Sequence, residues 1–348
     1  TPYHWAGGAT TYYKHLQDSV TVIKQFDANA KVLHGGLTSS EHLWRPFMEE
    51  LLDLGGGKYF DIYSFHYGNG AFAPKHRDLL KKYNHEHPLW NTEHGFGDYN
   101  DVIWEAVCDI VNGVEKVFYF ELYGRGHFGD VYMLDKPTYV PRAIMPMWMT
   151  LAEKINHSVW KKTWNWYGAC VAYEFGSKNG DNTVVFRSWD LQNTGLALKT
   201  SRKEIKFTDS LGRKHLLYPV DGWISLPAKN PGYLDLGSDT IISTGPAMIV
   251  LPEKLKMTAG KLNVVQVKLF NPGETPVTGN FILRGSADWP RSSDSGGVTI
   301  PPGGTIEVQR SLEPALNLAG TGFRLDAILE IDGRKAALHQ TVGTLDSP

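Results

Sequence analysis

The sequence predicts a multidomain chain, α/β in its first part and all-β thereafter: a partial (β/α)8 barrel of four βα units, followed by two β-sandwich domains. Three observations predict it. Up to about Ser158, short apolar bursts alternate with stretches of helical period, the rhythm of βα units around a parallel sheet. From Val159 the apolar runs shorten and turn residues recur every ~8–12 positions, the texture of a sandwich. The 348 residues are too many for a single domain of ~150, while the stretch 1–158 falls well short of the ~250 that a closed barrel takes. The expected domains are therefore 1–158, 159–251 and 252–348.

The first element is a helix from Tyr12 to Phe26, with Tyr12, Leu16, Val20, Ile23 and Phe26 on one face. A strand comes next at Lys31–His34, ending in Gly35-Gly36. Ser39 and Ser40 offer an N-cap before Glu41, and Leu43, Phe47, Leu51 and Leu54 form the buried stripe of the next helix, which Gly55-Gly56-Gly57 stops. Tyr59–Tyr67 is a strand with a helix around Arg77–Tyr83. Pro88–Glu93 is the next strand, with a helix over Asp101–Val114. Lys116–Tyr123 is the last, and its helix spans Pro141–Ile155 after a long loop. In the all-β part, Ala169–Phe175, Thr183–Ser188, Ile205–Thr208 and Tyr233–Leu236 are strands, and Asp209-Ser210-Leu211-Gly212 is a turn. Pro246, Pro252 and the Lys254/Lys256 stretch suggest a boundary. Beyond it, Val264–Phe270, Thr305–Gln309, and Leu325–Ile331 joined to Lys335–Thr341 through Asp332-Gly333 build the last module.

Composition excludes several classes. Thirty-five Lys and Arg against 37 Asp and Glu leave no basic footprint for nucleic acid. No run approaches the ~18 apolar residues of a membrane helix. Two cysteines, Cys108 and Cys170, make neither a disulfide framework nor a cysteine-based metal site. Aromatic residues reach 12%, which suits both stacking on sugars and filling sandwich cores. The chain opens at Thr1 without a charged-then-apolar leader. The expectation is a processed or trimmed chain, secreted or periplasmic. Asn156-His157-Ser158 is a glycosylation sequon of the kind that also arises by chance.

Active sites of such barrels lie at the C-terminal ends of the strands, so strand parity sorts the candidates. On Pro88–Glu93, the side chains of Leu89, Asn91 and Glu93 share a face, while Trp90 and Thr92 share the other, with Trp90 packed outward. His66, at the end of its strand, lies on the face of Ser64 and Ile62. Glu121 lies with Tyr119 and Val117. Three titratable residues thus end three successive strands and face one space. Each also has a plainer reading: Glu93 as a solvated loop anchor, His66 as a satisfied core histidine, Glu121 as the partner of an arginine such as Arg125.

The ordered segments AKVLHGGL, FDIYSFHYG, PLWNTEHG and VFYFELYG, closing on PRAIMPMWMTLAEKI, resemble the second half of a clan A glycoside hydrolase barrel, of the family 39 and family 5 type. In that group the fifth strand ends in a glycine pair, here Gly35-Gly36. The sixth carries a strand-end histidine next to an aromatic, here His66 and Tyr67. The seventh ends in T-E-x-G, here Thr92-Glu93-His94-Gly95, whose Glu is the nucleophile. The all-β segments FTDSLGRK and NPGYLDLG resemble the accessory sandwich of these enzymes, and the last module resembles an immunoglobulin-like domain.

The resemblance implies a retaining glycoside hydrolase with Glu93 as nucleophile and His66, Tyr67, Asn91 and Glu121 as sugar-contacting or supporting residues. No cofactor and no metal is called for. The family's acid/base belongs to an Asn-Glu-Pro motif, and the sequence contains none. The opening TPYHWAGGATTYYKHL looks like the loop and helix directly after that motif, so the expected partners are a carbohydrate and a missing N-terminal half barrel or a partner chain. The alternatives are a non-catalytic carbohydrate-binding or assembly protein on a degenerate barrel, and a different barrel enzyme with Glu93 as base. A metal at His66, Glu93 and Glu121 is a further, weaker reading, one His and two carboxylates being common in benign arrangements.

Overall fold

A computed structural model describes residues 7–37, 40–68, 70–95, 97–123, 132–135, 137–177, 180–189, 195–237, 240–252 and 255–348. It is mixed α/β with mostly strands, 24% helix and 42% strand. The chain divides into two compact units, Thr1–Met149 and Thr150–Pro348. Among the described residues no helix is long and apolar enough to cross a membrane.

The first unit runs α1 (Ala9–Phe26), α2 (Glu41–Asp53), β1 (Tyr63–His66), α3 (Phe72–Lys82), β2 (Leu89–His94), α4 (Tyr99–Val111) and β3 (Val114–Tyr119), with α5 (Ile144–Ile155) beginning at its end. The three strands are parallel in the order β1-β2-β3. Parallel bridges Leu33↔Ile62 and Leu37↔Phe65 add the 33–37 segment beside β1. The strand expected at Lys31–His34 keeps only the Leu33 bridge; within it the Val32 N–H donates to the Asp61 carboxylate at 2.9 Å. Gly35 N–H donates to Tyr12 Oη, and the Gly35 carbonyl accepts from His34 Nδ1 at 2.7 Å. Helix α3 starts earlier than its apolar spacing suggested; Pro74 sits in the first turn, where a missing N–H costs nothing. Asp98 caps α4, its carboxylate accepting from Asn100 N–H. Ser40 stands at the N-cap of α2 without a capping bond, and Ser39 lies outside the described residues, as do Arg125 and Lys254.

One core joins α1–α3 to the sheet: Leu16, Trp44, Met48, Leu51, Tyr63, Phe65, Leu79, Leu80 and Leu89 are buried in it. Two expected stripes are corrected here. On α1, Leu16 is buried but Ile23 is exposed and Phe26 is 89% exposed. On α2, Leu43 and Leu54 are exposed, and Trp44 and Met48 are buried instead. Period alone gives an apolar face, and the packing partner decides how much of it is covered.

Two buried histidines anchor this core. His34 accepts from Ser64 N–H through Nε2 at 3.1 Å, and His76 lies 2.9 Å from Tyr63 Oη against the Trp44 and Phe65 rings. Burial holds His34 down at about 4 and His76 at about 3. The unfolded chain takes up protons near pH 6.5, so it binds more protons than the folded one below that value. Stability is therefore complete above pH 6.5 and drains away as the pH falls toward 4. The thermal midpoint of the protein is expected to fall over that interval, and a flat profile would contradict the assignment.

The second unit is all-β. A six-stranded sheet has the order Val159–Trp166, Cys170–Gly176, Asn182–Ser188, Gly232–Leu234, Ile205–Thr208, Lys214–Leu217. An eight-stranded sheet centres on the long strand Arg334–Asp346, which pairs with Gly322–Ile331 through the turn at Asp332-Gly333. Strands from both sides of Pro252 belong to that sheet, since Arg334–Asp346 also meets Trp223–Pro227 and Leu255–Thr258 in parallel. The long strand serves two cores: Leu338 lies among Phe186, Leu196 and Phe207, and Leu345 among Val267, Phe281 and Leu325.

Candidate functional site

The geometry of the site comes from one extra residue. Phe65 pairs with Asn91 and His66 with Glu93, while on the other side Asn91 pairs with Val117 and His94 with Tyr119. Strand β2 therefore carries one more residue than either neighbour between Asn91 and His94, a β-bulge of the kind that re-aims side chains at strand ends. Before it, the side chains of β2 alternate, although β3 slips by one residue against Leu89 and Trp90. Leu89 and Asn91 face the helices, Leu89 in the core and Asn91 bonded to Asp109 of α4. Trp90 faces the other side, 5.5 Å from Phe118 and 4.3 Å from Lys116 Nζ. There Thr92 Oγ1 meets Ser64 Oγ at 2.6 Å. After the bulge, His94 points back to the helices and bonds the Val102 carbonyl at 2.7 Å.

The expected parity is thus corrected: Asn91 and Glu93 do not share a face, and Trp90 is not on the helix side. Glu93 comes to the mouth because the inserted residue breaks the alternation. It meets His66 and Tyr67 there. Tyr67 Oη donates to Glu93 Oε2 at 2.5 Å, and His66 Nδ1 lies 3.3 Å from the same oxygen. Among the described residues Oε1 has no protein partner, and the side chain is 30% exposed. One carboxylate oxygen is gripped, and the other is unbonded among the described residues.

The chain is bent to make this grip. Tyr67 has φ 52, a left-handed conformation uncommon outside glycine, while its N–H donates to the Glu93 carbonyl at 2.7 Å. Burial, then the hydrogen bond to Glu93 and the charges of Glu93 and Glu121, push the Tyr67 hydroxyl well above its ordinary range, so it stays a donor. Glu121 is half-buried and close enough for its charge to register on Tyr67. It comes directly after a cis Phe120–Glu121 peptide bond.

Two glycines make the close approaches possible. A Cβ on Gly36 would stand 1.7 Å from His66 Nε2. Gly95 has φ 150, and a Cβ there would stand 2.3 Å from the Phe120 carbonyl oxygen, which is how the end of β3 lies against the end of β2. Gly36→Ala is expected to push the imidazole off Glu93 and cost about 1–3 kcal/mol of stability as an overpacked site. Nitrogen shifts of the His66 ring check it; unchanged shifts would show that the pair does not depend on Gly36.

The site also contains residues that sequence reading passed over. His94 and Asp109 are buried with Asn91 beneath Glu93. A signal was present: Asp109 is an acid on the apolar face of α4 that includes Val102, Ala106 and Val107. Among the described residues no cluster of three His, Cys, Asp or Glu side chains is disposed to hold a metal ion.

No family model matches the sequence, and no curated protein matches it. Solved structures do, at low identity. A GH30 endoxylanase from Clostridium papyrosolvens is 12% identical over 69% of this chain and 61% of its own, with a TM-score of 0.46. The family 51 α-L-arabinofuranosidase AbfB from Bifidobacterium longum is 10% identical over 66% of this chain and 63% of its own, with a TM-score of 0.44. A glycosyl hydrolase family 2 member from Bacteroides cellulosilyticus is 10% identical, covers 95% of this chain and 45% of its own, and has a TM-score of 0.30. The chain spans less than two thirds of the length of each of these three structures.

Proposed function

We propose that this chain carries the nucleophile of a retaining glycoside hydrolase, and that Glu93 is that nucleophile. The observation that carries the reading is the asymmetric carboxylate: Oε2 is held by Tyr67 and His66 while Oε1 has no protein partner among the described residues. A carboxylate that attacks an anomeric carbon needs one oxygen fixed, so that the other keeps its aim, and that other must be open to the sugar. The Thr92-Glu93-His94-Gly95 order at the end of a parallel strand supports the same reading. Glu93 Oε1 would attack the anomeric carbon, the leaving oxygen would depart, and a glycosyl ester would form and then be hydrolysed. His66, Tyr67 and Glu121 would surround the sugar; Asn91, bonded to Asp109, supports the strand from beneath.

The partial barrel belongs to the same proposal. A parallel sheet is ordinarily covered on both faces, and here β3 ends the ladder, with Phe118 exposed beside Trp90. Further βα units, in the same polypeptide or in another, would pair with that edge and with the 33–37 segment beside β1, and would bring the acid/base carboxyl, ~5–5.5 Å from Glu93 in a retaining enzyme. The test is stereochemical. With an aryl glycoside that the complete protein turns over, proton NMR should show the first-formed sugar with the anomeric configuration of the substrate. The opposite anomer would overturn the reading. The outcome that would replace this reading is a protein that binds carbohydrate without cleaving it. Binding without turnover, with the completing segment present, would establish it.

A further inference from the structure

We infer that Asp109 is a positioning residue: its carboxyl is kept protonated beneath the bulge of β2, where Oδ2 accepts from Asn91, and the neutral form keeps Asn91 in the arrangement that aims Glu93. The catalytic consequence rests on the reading of Glu93 as nucleophile, whereas the protonation stands by itself.

The inference comes from counting hydrogens. Asp109 is 0% exposed and Asn91 is equally buried. The Asn91 amide has two N–H bonds, and three acceptors surround its nitrogen: Asp109 Oδ2 at 2.8 Å, the Gly68 carbonyl at 3.3 Å and His94 Nδ1 at 3.3 Å. His94 Nε2 faces the Val102 carbonyl, which only accepts, so the ring hydrogen is on Nε2 and Nδ1 of the neutral imidazole is an acceptor. Two further acceptors, Asn91 Oδ1 and Asp109 Oδ1, are buried with no partner among the described residues. Buried polar atoms are rarely left unpaired. Here acceptors outnumber donors on two touching side chains, and a protonated Asp109 carboxyl adds a donor where a carboxylate adds only acceptors. Placing that proton on His94 is the alternative. It would create an ion pair at 4.0 Å, beyond hydrogen-bond reach, and would leave both oxygens unpaired.

The surroundings favour the neutral acid. Burial pushes Asp109 up to about 8 against the lowering effect of Asn91, and the charge of Glu105, one turn earlier on α4, pushes the same way. Burial also pushes His94 down. The other titratable groups nearby are Cys108, which α4 packs against Gly70, and Tyr119 of β3, which shares Trp148 of α5 with His94. None is a cation.

The mechanical link is direct. Asn91 and His94 flank Thr92 and Glu93, and both are tied to α4, Asn91 through Asp109 and His94 through Val102. An ionised Asp109 in this buried site would draw in water or pull Asn91 away from Gly68 and His94, and the bulge would lose one of its two moorings.

The test uses the full chain and two readouts. The carboxyl carbon of Asp109, assigned by comparison with Asp109→Asn, is tracked by NMR from about pH 5 to about pH 9. It is expected to stay at the protonated position through neutrality and to move near 8. An ionised signal at pH 6 beside a protonated His94 would overturn the inference. The second readout is the rate at which a dinitrophenyl fluoro-glycoside labels Glu93. In the wild type it is expected to fall about tenfold per unit above pH 8, and in Asp109→Asn, whose amide stays neutral, it should not. Equal alkaline declines in both proteins would overturn the positioning role. A wild type that never labels, with the carboxyl titrating as expected, would count against the nucleophile and not against the buried proton.

Discussion

Glu93→Gln is expected to lower hydrolysis of a dinitrophenyl glycoside by at least about 10³-fold, equivalent to roughly 4 kcal/mol of lost transition-state stabilisation. The substitution keeps the size of the side chain and an oxygen for Tyr67 to bond, so the fold around the bulge should persist. What it removes is the charged atom that attacks. The substrate matters to the logic: dinitrophenolate leaves without a proton, so the first step does not wait on the acid/base. Glu93→Ala sharpens the test, because it opens a space in which azide can attack the same face of the sugar. Azide should then restore turnover and yield the glycosyl azide of inverted configuration. A Glu93→Gln protein with wild-type turnover would remove Glu93 from the chemistry.

Tyr67→Phe carries the second large effect. The hydroxyl is the nearest donor to Glu93 Oε2, and a hydrogen bond to a charged group contributes about 1.5–3 kcal/mol, so kcat should fall between about 10- and 150-fold. The ring should stay in place, since it packs edge-on to Phe120 and His66 and its conformation is set by the backbone turn at φ 52. Stability should therefore change little while turnover falls. A loss of stability with unchanged turnover would make Tyr67 a packing residue.

Much of the first unit was legible because its strands are short apolar runs between helical periods. The cores of β1, β2 and β3 fall within the expected segments, and Ile205–Thr208 matches its expectation to the residue. What was not legible depends on contacts. Period-two alternation places Asn91 and Glu93 together, and no local signal announces the extra residue that separates them, because a bulge is visible only against its neighbours. The expected strand before Gly35 gave up its Val32 N–H to the carboxylate of Asp61, 29 residues away. The aromatic Val159–Trp166 strand was missed because its exposed apolar and charged residues keep to no single face. Phe26 and Ile23 obeyed the helical period, yet the described chain leaves Phe26 almost uncovered and Ile23 covered only in part.

The most direct measurement is covalent. The complete protein is incubated with dinitrophenyl fluoro-glycosides, whose fluorine slows release of the glycosyl ester more than its formation, and is then digested and sequenced by tandem mass spectrometry. The label is expected on the peptide that contains Thr92-Glu93-His94, on the Glu93 carboxylate, with Glu93→Gln unlabelled. A label on any other carboxylate, or an active protein that takes up none, would contradict the assignment.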